Sequence, residues 1–237
     1  MSHTLRSTIL VTAAACLLAC HPSGIDDAAE TDTVVTRRAK DYDYSRNLTY
    51  DIPDKIADLC DVDTSELPNG DGGAGGARPN PFPEGADCNE ITHRFDDAIL
   101  ADIRRNFEQL GYQRVDKDAG QKPDVALLVG ALSSNNWVAY TYYPWSYYCY
   151  YYPYYCGWGI YYPYYPTTTL VNYPTGTLLM DLVSLNDADT EQQLTPSIWT
   201  GSVSGLLADS DTDSATRIKS TIDQAFDQSP YLKVGKP

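Results

Sequence analysis

Two stripes of apolar residues at three- and four-residue steps frame the chain. Phe95, Ile99, Leu100, Ile103, Phe107 and Leu110 make the first, which predicts an amphipathic helix over residues 92–110. Gly111 stands where a left-handed cap is wanted. Ala215, Ile218, Ile222, Ala225 and Phe226 make the second, with Asp213 placed to cap that helix and Ser229-Pro230 to end it. Between the stripes the period changes. Val125-Ala-Leu-Leu-Val129 is a continuous apolar run, the mark of a buried strand over 124–132. Residues 176–185 and 197–205 are two further strands, and the polar turn 186–193 joins them as a hairpin. Shorter patches at 33–38, 48–52, 112–115 and 138–143 are strand-like, the first two giving an opening strand or two. Leu178, Met180 and Leu182 share one face of their strand; Leu179, Asp181 and Val183 share the other. The expected fold is therefore α+β: an antiparallel sheet of four or five strands with two helices on one face. The second face, also largely apolar, needs cover from elsewhere in the chain or from a partner. Gly201 and Gly205 leave room for a close helix approach or a bulge.

The stretch 137–166 holds fourteen of the twenty Tyr and three of the four Trp. Pro144, Pro153, Pro163 and Pro166 interrupt it, which argues against a regular central strand. A long irregular loop of this kind either folds back on the domain or is held out as a contact surface. Folded back, its hydroxyls need partners. Held out, it nominates Trp137, Tyr140, Trp145, Tyr148, Tyr151, Tyr155, Trp158 and Tyr162 as binding residues. Aromatic rings stack on sugar faces and also dominate protein interfaces, so a glycan (peptidoglycan among them) or an envelope protein is the expected partner.

The N-terminus changes the picture again. Arg6, then an apolar run over 9–18, then Leu17-Leu18-Ala19-Cys20 resembles a bacterial lipoprotein signal. Residues 1–19 are then a signal peptide, and Cys20 carries acyl chains that anchor the protein to a membrane. Each buried methylene contributes about 0.8 kcal/mol. His21 rather than Asp after the Cys fits outer-membrane sorting in the enterobacterial pattern. Residues 20–40 read as a tether and 41–237 as one domain. The Gly- and Pro-rich segment 53–89 is an insert, and Cys60 and Cys88 lie within it near its ends. Cys60, Cys88, Cys149 and Cys156 remain after processing, an even number in an exported chain, which fits two disulfides. The simplest pairing is Cys60–Cys88 and Cys149–Cys156.

The 237 residues are 43% hydrophobic and 21% charged, a globular balance. The net charge of -15 opposes binding to nucleic acid and to anionic lipid headgroups. Candidate chemistry is sparse. No G-x-S-x-G elbow is present. The acidic run from Asp61 has Glu66 at the sixth position of a calcium loop and Gly72 at the twelfth, the wrong residues at both. His93 reads as an exposed or capping histidine, Asp181 as a structural carboxylate, and Asp209, Asp211 and Asp213 as a solvated turn. Asn47-Leu48-Thr49 is a glycosylation sequon, discounted because the signal is bacterial. No catalytic residue, metal or cofactor is expected.

Gly111-Tyr112, Pro123-Asp124 leading into a strand, Gly176-Thr177-Leu178 leading into Asp181-Leu182-Val183, and Trp199-x-Gly201 before a terminal helix come in a characteristic order. With the lipoprotein signal and the aromatic loop, that order resembles the bacterial lipoproteins grouped as domain of unknown function 4136. The resemblance covers about 89–230, and the insert 53–89 departs from it. It implies a location and a fold, and no activity.

Overall fold

The computed structural model describes residues 32–58, 93–115, 120–132, 136–139, 158–164, 170–173, 176–204 and 214–235. All of them belong to one unit, Asp32–Pro237. Ten strands and two α-helices are described in it: β1 (Thr33–Arg38), β2 (Thr49–Asp51), β3 (Ala57–Asp58), α1 (Asp96–Gln109), β4 (Gln113–Arg114), β5 (Val125–Leu132), β6 (Asn136–Ala139), β7 (Gly159–Tyr161), β8 (Leu170–Tyr173), β9 (Thr177–Ser184), β10 (Leu194–Ser204) and α2 (Ser214–Asp227). The main sheet runs β1-β10-β9-β5-β2-β4; β3 also pairs with β5, and β7 with β10. β6 and β8 form a separate antiparallel pair.

The α+β class is as expected, but the sheet is mixed, not an antiparallel one of four or five strands. β1, β10, β9 and β5 are antiparallel neighbours. β2 and β3 run parallel to β5, β4 runs parallel to β2, and β7 runs parallel to β10. For β4 the cause is a crossover: the chain leaves β2, passes through α1, and returns beside β2 in the same direction as β4. Two of these strands, β2 and β4, fall within the strand-like patches at 48–52 and 112–115; β3 and β7, two and three residues long, are too short to register as a hydrophobic period. The strand-like patch at 33–38 is β1, which overlaps the end of the tether read at 20–40 and pairs along its whole length with β10 from Thr33↔Ser204 to Arg38↔Trp199. Asp32, just before it, is held by Arg217 of α2 through two bonds of 2.7 and 3.1 Å.

The first face of the sheet carries the helices. Leu127 and Val129 of β5, Leu178, Met180 and Leu182 of β9, and Trp199 and Val203 of β10 join one core with α1 and α2. α1 buries Ile99, Leu100, Ile103 and Phe107 of its predicted stripe, and Leu110 packs at the edge. Its acidic first turn, Asp96 and Asp97, suits the helix dipole. Its far end closes as predicted on Gly111, at φ 95. The Gly111 N–H donates to Glu108 O and the Tyr112 N–H to Phe107 O, a Schellman cap. A Cβ at Gly111 would also lie 2.9 Å from Val234 Cγ2. In α2, Ile218, Ile222, Ala225 and Phe226 are buried. Ala215 is exposed and leaves the predicted stripe; a single methyl has little area to bury. The helices are clasped by Asp223 of α2, which accepts from Asn106 Nδ2 at 2.8 Å and Arg105 Nη2 at 2.5 Å.

Trp199 ties α2 to the sheet. Its indole stacks on Phe226 at 5.6 Å between centroids, and its Nε1 donates to Ser229 Oγ at 2.9 Å. A Cβ on Gly201 would fall 2.6 Å from Trp199 Cη2 and 3.0 Å from Met180 Cε. The room that Gly201 leaves is therefore filled by the indole, not by a helix backbone.

Candidate functional site: a groove beside the bulge of β10

β10 pairs regularly with β9 except between Ser197↔Val183 and Trp199↔Leu182, where Ile198 is an extra residue. Such a bulge shifts the alternation of side chains by one. Ser197 and Thr200 are three positions apart and would face opposite ways in a regular strand. Here both meet the Tyr164 hydroxyl, Ser197 Oγ at 2.7 Å and Thr200 Oγ1 in a shorter contact. The carbonyl exposed by the bulge is not left bare. Ile198 O accepts from the Ala39 N–H at 2.9 Å and from the Tyr44 hydroxyl at 2.5 Å. Burial pushes the Tyr44 phenol well above its ordinary pKa, so it stays a donor.

Beside the bulge lies an open groove of about 570 Å³. Its walls come from three places. The link after β1 supplies Ala39, Lys40, Asp41, Tyr42 and Arg46; the segment at the end of β7 supplies Tyr161, Pro163 and Tyr164; the β9–β10 turn and the start of β10 supply Asp187, Pro196 and Ile198. Arg46 pairs with Asp187 across the groove and its guanidinium carbon lies 4.7 Å from the centre of the Tyr42 ring. Tyr42 is fixed in turn, its hydroxyl reaching Asn47 Oδ1 at 3.1 Å and Ser184 Oγ at 3.0 Å. Ser184 Oγ donates to Asp187 Oδ2 at 2.5 Å. Burial alone would raise the Asp187 carboxyl, but the hydrogen bonds from Ser184 and Arg46 and the Arg46 charge outweigh it and lower the pKa. The Asp187 bond holds Arg46 above its ordinary value. Burial, then the charges of Asp187 and Asp189, raises Tyr161, which keeps its proton. The groove thus presents rigid rings and one held donor–acceptor pair.

The second face of the sheet lies next to it. Asp181 at the centre of that face is 0% exposed. Its Oδ2 accepts from the Tyr162 hydroxyl at 2.8 Å and its Oδ1 from Thr200 Oγ1 at 2.6 Å. Trp158 and Ile160 are buried beside Tyr162 in sequence, so this described part of the Tyr-rich stretch, 158–164, is folded back into the domain.

Of the eight aromatic residues nominated as a contact surface, Trp158 and Tyr162 have described side chains, and both are buried rather than presented outward. Trp137 lies in β6, and nothing of its side chain is described. Tyr140, Trp145, Tyr148, Tyr151 and Tyr155 lie outside the described residues, as do Cys20, Cys60, Cys88, Cys149 and Cys156, Asp61, Asp209, Asp211 and Asp213. His93 is exposed and its Nδ1 lies 2.9 Å from Asp96 Oδ2. Asn47 of the sequon is 0% exposed, which leaves no place for a sugar. Tyr42, Arg46, Tyr161, Tyr164 and Asp187 were not singled out from the sequence. The spacing of two in Trp158, Ile160 and Tyr162 is a strand signal that sets Tyr161 on the other side; Arg46 and Asp187 are 141 positions apart and gave none.

Comparison with known proteins places the fold. The profile of a family described as domain of unknown function (DUF4136) matches residues 34–231. A DUF4136 family protein from Bacteroides thetaiotaomicron VPI-5482, with a crystal structure at 1.60 Å, is similar over 88% of this chain and 99% of its own. The identity is 24% and the TM-score 0.55, a likeness of fold. The PelC dodecamer from Paraburkholderia phytofirmans aligns over 86% of this chain and 99% of its own, at 10% identity and a TM-score of 0.36. No curated protein matches.

Proposed function

The chain belongs to the DUF4136 family, and on that footing we propose that it is an acyl-anchored lipoprotein of a bacterial envelope, at the outer membrane, with a binding or structural role and no catalysis. The anchor reading rests on Leu17-Leu18-Ala19-Cys20 after a short apolar run. The observation that carries the binding role is the groove, where Arg46, Tyr42, Ser184 and Asp187 hold one another in place beside an open space. Preorganised polar groups beside rings are how a site fixes a ligand's orientation. The buried Asp181 supports the same reading: its oxygens are engaged by Tyr162 and Thr200, so it serves to fasten the cover of the second face.

The test of the anchor is metabolic labelling with a fatty-acid probe, followed by membrane fractionation. Wild type should carry the label in the outer-membrane fraction, and Cys20→Ser should not. A soluble, unlabelled wild-type protein overturns the anchored reading.

A further inference from the structure

We propose that the groove beside the bulge of β10 is a recognition site for an uncharged oligosaccharide. The inference deepens the binding role above and rests on it. Three properties of the walls point to that ligand class. The apolar surface is mostly rings, those of Tyr42, Tyr161 and Tyr164 with the pyrrolidines of Pro163 and Pro196, beside the aliphatic Ala39 and Ile198. Rigid rings offer flat faces to C–H groups at little cost in conformational entropy, whereas a lipid-binding cleft is lined by flexible aliphatic chains. The charges balance: Lys40 and Arg46 face Asp41 and Asp187. In a chain of net charge -15 this local balance gives an anion or a cation no advantage. Finally, the Arg46–Asp187 pair sets strong donors beside a strong acceptor, both held by neighbours. A sugar hydroxyl donates and accepts at once, and adjacent hydroxyls match such a pair.

A proline-rich peptide also docks on rings. Its backbone has carbonyls but no N–H, so it could use the Arg46 donors and would leave the Asp187 carboxylate without one, whereas a sugar hydroxyl serves both. The volume, about 570 Å³, lies inside the usual range for ligand sites, about 300–1,000 Å³.

The experiment is isothermal titration of the full-length chain with chitohexaose, cellohexaose and maltohexaose, and with decaproline. It is repeated on Tyr161→Ala, Arg46→Met and Asp187→Asn, each checked for folding by circular dichroism. At least one of the three oligosaccharides should bind, and each folded variant should bind it about tenfold more weakly or worse. No binding of any of the three, binding unchanged in all folded variants, or groove-dependent binding of decaproline in their place overturns the proposal. Sugar binding lost with the acyl label retained removes this site and leaves the anchored reading; a lost label with sugar binding intact does the reverse.

Discussion

The indole of Trp199 lies over the α-carbon of Gly201, two positions along the same strand, and leaves no room there for a Cβ. Gly201→Ala must move the ring from its stack on Phe226 or from its bond to Ser229. The expected cost is about 1–3 kcal/mol of stability, read as a lower urea midpoint at unchanged slope. An alanine variant as stable as wild type would show that the ring is free to shift.

Ile222 is fully buried between α2 and the sheet. Ile222→Ala should cost about 2–5 kcal/mol by the same measurement. A change near zero would place the apolar stripe of α2 against something other than the core.

Tyr162 and Asp181 are coupled through a buried hydrogen bond. Tyr162→Phe removes a donor from a buried carboxylate and should cost about 1–3 kcal/mol. In a double-mutant cycle with Asp181→Asn the two losses should fall short of additive by more than about 0.5 kcal/mol. Strict additivity would mean that the hydroxyl does not act on that carboxylate.

Acid should loosen two clasps. Burial would raise the Asp124 carboxyl, but bonds from Asn186, from the Leu48 and Thr49 N–H groups and from the Thr49 hydroxyl lower it below 3.8. Asp223 is lowered in the same way, burial being outweighed by Lys219, Asn106 and Arg105. A folded pKa below the unfolded one gives stability that is complete above the unfolded value and is lost as pH falls through the folded value. The urea midpoint should therefore hold steady above about pH 5 and fall below about pH 4. Asp124→Asn should be less stable at pH 7 and show a shallower fall. An equally steep fall in that variant would assign the acid sensitivity elsewhere.

The long elements were legible because their residues repeat. Ile99 to Phe107 and Ile218 to Phe226 carry a helical period, and the faces of β9 were assigned correctly from Leu178 to Val183. Of the parallel strands, β2 and β4 fell within the strand-like patches at 48–52 and 112–115 and only their direction was missed; Ala57 and Asp58 of β3 owe their extended form to β5 alongside and gave no signal. The groove was hidden for a related reason. Each wall is polar or aromatic for its own sake, and only the fold brings Arg46 to Asp187 and Tyr164 to Ser197.

The extra residue at Ile198 offsets the alternation along β10, while the pairing with β9 continues on either side of it. Upstream, Pro196 and Ser197 are in step with β7 and the groove; downstream, Trp199 and Val203 are in step with the helices. Removing Ile198 would set Ser197 and Trp199 side by side opposite Val183 and Leu182, so both would keep their faces and the ladder would become regular. What the deletion would take away is the Ile198 carbonyl, to which the Ala39 N–H and the Tyr44 hydroxyl now donate. The extra residue therefore serves the segment after β1 rather than the ladder, and shortening the strand here would disturb that wall of the groove while Trp199 kept its place in the core.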